Sequence, residues 1–295
     1  MSTTTHVGPR RKKRSPIWLL KRAGLLAFQY LPGIIWMLIS LFAVAWLVIS
    51  SLKTNREIFA GIWDLPKSLF LGGYARVWQQ MNMARYMLNS VVLSIAVVGI
   101  LDIIAAMASY VLTRFQFRGA RIILLYFMAG MAIPVLLIVV PLYLVLNKLG
   151  LLNNLVGLGL VYVAVSTPFS IFVLTGFFRT LPSEIMDAAV VDGASDFGVF
   201  WRVAFPLARP GITTISIFNF LGVWGEYLLA LMLIHTEEWT TLPLGLYLLR
   251  MQQQMSTDWT SMFAGVVIAM VPSVIIFLIL QERLAAGLTT GALKG

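Results

Sequence analysis

Leu181-Pro-Ser-Glu-Ile-Met-Asp-Ala-Ala-Val-Val-Asp-Gly-Ala-Ser-Asp-Phe-Gly-Val-Phe-Trp-Arg-Val-Ala-Phe-Pro206 holds four of the chain's twelve acidic residues. Pro182 disfavours helix in the residue before it and Ser183 is a good N-cap, so the pattern predicts a helix opening here. Glu184 and Asp187 fall near the positive end of its dipole. Ala188 and Ala189 give it a low-relief face, and Gly193 after Asp192 is a suitable stop. Ser195 caps a second short helix, predicted to run to about Ala204 and to end at Pro206. Outward from this stretch both flanks turn apolar, at residues 155–178 and 211–234. Each flank supplies the roughly 20 apolar residues a membrane-spanning helix needs. The stretch therefore reads as an elbow of two short helices at a membrane surface. Small residues at its centre and acids around them suit it to entering a groove on another protein, or to lying on lipid.

The composition agrees: 59% of the 295 residues are apolar and 12% charged, where a soluble chain carries about 25% charged residues. Four more stretches have spanning length, 31–51, 91–112, 122–146 and 262–280. The expected fold is all-α, a polytopic membrane protein of six transmembrane helices with the elbow (179–210) between helices four and five. Residues 1–30 form a basic segment with an interfacial helix, and 31–295 the membrane domain, with external loops at 52–90 and 235–261. Residues 147–154 are a tight turn, and the glycine-rich tail within 281–295 is expected to be extended. Pro134, Pro141, Pro168 and Pro272 fall inside predicted spans, where each removes a backbone hydrogen bond. They read as packing kinks or as hinges. Trp63, Trp78, Trp239 and Trp259 fall in or beside the external loops, as membrane-interface anchors or partner contacts.

The net charge of +10 is an orientation signal. Fifteen of the 22 Lys and Arg residues fall on the side of the two termini, which places both termini in the cytoplasm by the excess of cations left inside. The cluster Arg10, Arg11, Lys12, Lys13 and Arg14 precedes the first span and reads as topology rather than nucleic-acid binding. Ala43-Val44-Ala45 imitates a signal cleavage site, but the apolar run continues through Ile49, as in a retained span.

Catalysis is poorly supplied. The chain has no Cys and two His, which removes disulfides and Cys-ligated metals. It lacks the G-x-x-x-x-G-K-[ST] phosphate loop, H-E-x-x-H and G-x-S-x-G. No metal site is expected. Ionisable groups inside a membrane mark solute or ion pathways, and two fall in predicted spans, Asp102 and Glu226. Asp102 reads as a carboxyl that is protonated or hydrogen-bonded to a neighbouring helix or partner subunit, or as a proton or ion relay. Glu226 lines a solvent path or faces a packed interface. An ion-coupled carrier using these two residues stays open on this reading, as does a membrane scaffold.

The elbow closely resembles the EAA loop of ABC importer permeases, E-A-A, three residues, G, nine residues, I-x-L-P. Here Asp187-Ala188-Ala189 is followed after three residues by Gly193 and after nine more by Val203-x-Phe205-Pro206. Asp for Glu, Val for Ile and Phe for Leu are the departures. Trp224-Gly225-Glu226-Tyr227 resembles the family's W-N-E-F, with Gly for Asn and Tyr for Phe. Residues 287–295, Gly-Leu-Thr-Thr-Gly-Ala-Leu-Lys-Gly, resemble its G-L-T-A-G-A-V-K-G tail. With Asn89-Ser90, Ile133-Pro134, Gly176-Phe177-Phe178 and Thr241-Leu242-Pro243, the likeness covers about residues 30–295 and points to the carbohydrate-uptake branch, of the maltose-permease G type. That resemblance implies the type I importer fold in the prokaryotic inner membrane, for a sugar or another solute. Glu184, Asp187, Ala188, Ala189, Asp192, Gly193, Ala194 and Pro206 would then form the loop that docks on a cytoplasmic ATPase, with Gly287, Thr289, Gly291 and Lys294 reaching the same subunits. The implied partners are a second permease subunit in a heterodimer, two ATPases that hydrolyse ATP with Mg, an extracellular or periplasmic solute-binding protein and the lipid bilayer. The chain itself would bind no cofactor and no nucleic acid.

Overall fold

The computed structural model describes residues 16–80, 82–256 and 258–292, and it is built from helices, with no strand among the described residues. A chain crossing hydrocarbon must satisfy its backbone N–H and C=O groups internally, and the long apolar runs do so as helices. The order begins with α1 (Pro16–Ser51), then α2 (Asn55–Ala60) and α3 (Gly72–Gln80), then α4 (Met83–Arg114). It continues with α5 (Ala120–Met131), α6 (Val135–Lys148) and α7 (Leu155–Phe178). The elbow holds α8 (Ser183–Val191), α9 (Asp196–Val199), a π-helical turn Phe200–Ala204 and α10 (Phe205–Leu207). After it come α11 (Arg209–Gly225), α12 (Leu228–Leu233), α13 (Leu242–Ser256) and α14 (Trp259–Ala292).

Four segments among the described residues are long and apolar enough to cross a membrane unbroken: Phe28–Ser51, Met83–Arg114, Leu155–Phe178 and Trp259–Ile279. The stretch 122–146 is a bent pair, α5 and α6, with 101° between them. The break falls at Pro134, which starts α6 and cannot donate to the preceding turn. Pro141, Pro168 and Pro272 sit inside helices that continue through them. The stretch 211–234 is also divided, into α11 and α12, with Glu226 extended at the break.

Other differences from the sequence reading concern ends and loops. Residues 16–30 are continuous with the rest of α1 rather than a separate helix, and residues 1–15, with the basic cluster, lie outside the described residues. The loop 235–261 contains the 15-residue α13, whose Pro243 falls in the first turn where a missing N–H costs nothing. The buried Ser90 hydroxyl accepts from Leu242 N at 2.8 Å and anchors its start. The tail is helical through Ala292 rather than extended, because Ala285, Ala286 and Leu288 favour helix enough to carry Gly287 and Gly291. Lys294 lies outside the described residues.

In the bundle α4 lies along α7, and α11 packs against α4, α7 and α14. One apolar core joins Leu93, Val97 and Leu101 of α4 to Leu158 and Val161 of α7 and to Leu229 and Leu233 of α12. A second, at the elbow end, gathers Ala105, Ala106 and Tyr110 with Ile171, Leu174 and Phe178. α1 touches α14 but keeps Trp36, Leu38 and Phe42 more than half exposed, as a helix facing lipid or another subunit does.

Candidate functional site

The elbow is fastened to the second core from below. Met186 is the buried residue of α8, and with Val199, Phe200 and Ala204 it packs among Tyr110, Leu174 and Phe178. Phe200 also meets Tyr110, Trp201 and Phe205 at ring-centroid distances of 5.3, 4.9 and 5.7 Å. The opposite face, with Glu184, Ile185, Asp187, Ala188 and Val191, is exposed.

The turn between the two short helices is set by local chemistry. Gly193 has φ +85°, Gly193 N donates to Val190 O at 2.9 Å and Ala194 N to Ala189 O at 3.0 Å. This pair of bonds is the Schellman ending, in which the left-handed residue is normally glycine. Ser195 then accepts from Gly198 N at 3.2 Å as the N-cap of α9. Ser183 differs from expectation: it is the first helical residue, and Pro182 holds the cap position without a side-chain bond. Pro206 does not end the second helix; it opens the short α10, where its absent N–H costs nothing.

A residue from outside the elbow completes its geometry. Arg114, the last residue of α4, donates from Nη2 to Asp187 Oδ1 at 2.6 Å. The Asp187 side chain remains 60% exposed, so its other oxygen is open to solvent or to a partner. Sequence reasoning placed Arg114 among the topology cations and missed this role. The two are 73 residues apart, and nothing local in the sequence points from one to the other.

Residues 101–290 match the family described as binding-protein-dependent transport system inner membrane component. The chain belongs to that family. The diacetylchitobiose uptake permease NgcG of Streptomyces coelicolor is 36% identical over 88% of this chain and 86% of its own length. The trehalose transport permease SugB of Mycobacterium tuberculosis is 30% identical over 87% of this chain and 92% of its own. In fold, a crystal structure of a bacterial ABC transporter involved in import of the acidic polysaccharide alginate matches with TM-score 0.73, at 23% identity, over 94% of this chain and 99% of that one.

In this permease the two acids that fall in the predicted spans are both engaged by other helices. Asp102 Oδ2 accepts from Ser216 on α11 at 2.7 Å, while Oδ1 is buried without a partner among the described residues. Glu226 accepts from the Tyr162 hydroxyl at 2.6 Å, from Leu229 N at 2.8 Å and from Ala230 N at 3.2 Å. Its carboxylate thus satisfies free N–H groups at the start of α12. The family pattern around Trp224-Gly225-Glu226-Tyr227 is therefore the point where a long helix breaks and restarts. Trp224 N–H donates to Ala269 O on α14 at 3.0 Å and holds the other side of the break.

The end of the bundle away from the elbow is tied together as firmly. Arg76 on α3 donates from Nε and Nη2 to Asp258 at 2.8 and 2.9 Å. Burial alone would push the Asp258 carboxyl up, but bonds from Arg76 and Ser261, with the guanidinium charge, hold it below the usual carboxylate range. Glu57 accepts from Thr54 N at 2.9 Å and Lys67 N at 3.0 Å. The Thr54 bond first, then that from Lys67, lowers its pKa. Of the tryptophans expected in the external loops, Trp63 stacks on Phe42 and tilts against Trp46 of α1, and Trp259 meets Phe263. Trp239 packs onto the first core, and Trp78 is half-exposed.

Proposed function

We propose that this permease is one of two membrane subunits of an importer for a sugar or oligosaccharide, crossing the inner membrane six times with both termini in the cytoplasm. On this reading the bent pair α5 and α6 makes the third crossing, and α11 with α12 the fifth. A second permease completes the pathway, two cytoplasmic ATPases hydrolyse ATP with Mg, and an external solute-binding protein delivers the sugar. The chain contributes no ATP site of its own. The sugar assignment is supported by relatives named for diacetylchitobiose and trehalose.

The elbow carries the proposal. Glu184, Asp187, Ala188, Ala189, Asp192, Gly193 and Ala194 form the docking face, and Pro206 sets where the chain re-enters the bundle. One side of this element is packed into the core through Met186, Val199 and Phe200 and the other is free. A push on the free side is transmitted to α4, α7 and α11 as a rigid displacement, because close-packed interiors do not deform continuously. Closure of the ATPases on ATP would turn that displacement into alternating access. Gly287, Thr289, Gly291 and Lys294 would make a second contact with the same subunits.

The test is uptake of a labelled disaccharide, together with ATPase activity, in the assembled transporter. Asp187→Lys and Gly193→Pro should leave the protein inserted and assembled but abolish both uptake and stimulation of ATP hydrolysis. Full uptake by the Asp187→Lys variant would remove the elbow from the mechanism.

A further inference from the structure

Between the ends of α4 and α7 and the start of α8 lies a cavity of about 350 Å³. Its polar lining is Tyr110, Thr113, Arg114, Gln116, Arg179 and Ser183, and no carboxylate lines it. Asp187 is bonded to Arg114, and Asp196 reaches Tyr110 only as a charge. Arg114 gives one N–H to Asp187 and keeps its remaining donors, while the exposed Arg179 side chain makes no ion pair or hydrogen bond among the described residues. Tyr110 is 4% exposed, and its buried hydroxyl, beside the Arg114 guanidinium, has no hydrogen bond of good geometry. Ser183 brings the first turn of α8, whose leading N–H groups have no intrahelical acceptor and whose dipole favours an anion.

We propose that this cavity binds a phosphate-ester anion, the phosphodiester of a membrane phospholipid. The Tyr110 O–H lies against the Arg114 guanidinium, which can only donate, and a buried O–H without an acceptor costs free energy. The Arg179 guanidinium, unpaired among the described residues, with the Arg114 donors not turned to Asp187, favours a polyoxygen anion, and phosphate fits such forked donors. The position selects a lipid: two helices of spanning length, α4 and α7, end at the cavity, at headgroup level. The exposed rings of Phe115 and Phe117, at 37% and 39%, follow α4 directly and offer the apolar surface an acyl chain needs. A phosphodiester held here touches α4, α7 and α8 together and braces the elbow against the bundle. That consequence for transport rests on the docking role proposed above; occupancy of the site does not.

The experiment uses the complete transporter in phosphatidylcholine nanodiscs carrying a photoactivatable phosphatidylglycerol, without ATP, followed by peptide mapping. Label should concentrate on segments 110–116 and 179–186. Arg179→Gln should lower it about tenfold, the effect of losing one charge-assisted hydrogen bond, and Tyr110→Phe, which keeps the ring, should lower it less. Displacement by added inorganic phosphate would keep the anion site and assign it a soluble ligand. Label spread without enrichment on these segments, or unchanged in both variants, would overturn the proposal. Because no ATP is present, a failure of the docking role would not alter the labelling, so the two ideas fail separately.

Discussion

Arg114 and Asp187 form a 2.6 Å ion pair that joins the end of α4 to the second turn of α8 across 73 residues of sequence. The pair is exposed on its acidic side, and exposed ion pairs contribute about 0–1 kcal/mol. Its value to the fold is therefore small, while it sits on the face proposed above to dock.

That contrast gives a prediction. The double variant Arg114→Glu with Asp187→Arg restores attraction within the chain but reverses the charge shown to a partner. It should insert and melt within about 1 kcal/mol of the parent and fail to support uptake. Recovery of uptake in the double variant would show that Asp187 serves this chain alone.

Gly193 can be tested by conformation rather than charge. A Cβ added there meets nothing within 4 Å, so Gly193→Ala suffers only the strain of φ +85°, about 1–2 kcal/mol. Asn tolerates this region better. Uptake should fall in the order Gly, Asn, Ala, with Pro lowest because it also removes the bond from Gly193 N to Val190 O. Equal uptake by the Ala and Asn variants would mean that backbone strain at the turn does not limit docking.

Gly193 was legible in the sequence because a helix stop of this kind is decided by a few adjacent residues. Ser195 as a cap is the same case. Pro134 and Pro168 show where local reading ends: both remove one backbone donor, yet the helix breaks at the first and continues through the second. Pro168 lies beside Gly130 of α5, where an added Cβ would be 3.5 Å from its ring, a neighbour that local sequence does not announce. α13 escaped notice because only its first ten residues, Leu242–Met251, form an apolar helical run. Tyr162 and Ser216 could not be assigned to Glu226 and Asp102, because the pairings span 64 and 114 residues and no local rule connects them.

At the end of the bundle away from the elbow, acid should loosen the clamp between α3 and α14. The folded-state pKa of Asp258 is depressed, so its stabilisation is fully present above the unfolded value, about 3.9, and is lost as pH falls through the lower folded value. Glu57 has the same sign. The melting temperature of the parent should be flat from neutral pH to about 5 and fall below about 4. Asp258→Asn should start lower and show a shallower acid decline. A parallel decline in both proteins would place the acid sensitivity elsewhere.

The break between α11 and α12 supplies the last test. Glu226 accepts three hydrogen bonds through two oxygens, and Gln has one acceptor oxygen to offer. Glu226→Gln therefore leaves at least one of the Tyr162, Leu229 and Ala230 donors without its partner, at about 1–3 kcal/mol. Tyr162→Phe removes a donor and leaves both backbone bonds in place, so its cost should be about 1 kcal/mol. Thermal unfolding of the detergent-solubilised complex should rank the parent first, Tyr162→Phe second and Glu226→Gln third, with the two effects less than additive in the double variant. If Glu226→Gln instead melted like the parent while uptake was lost, the carboxylate would belong to the solute pathway rather than to the helix break.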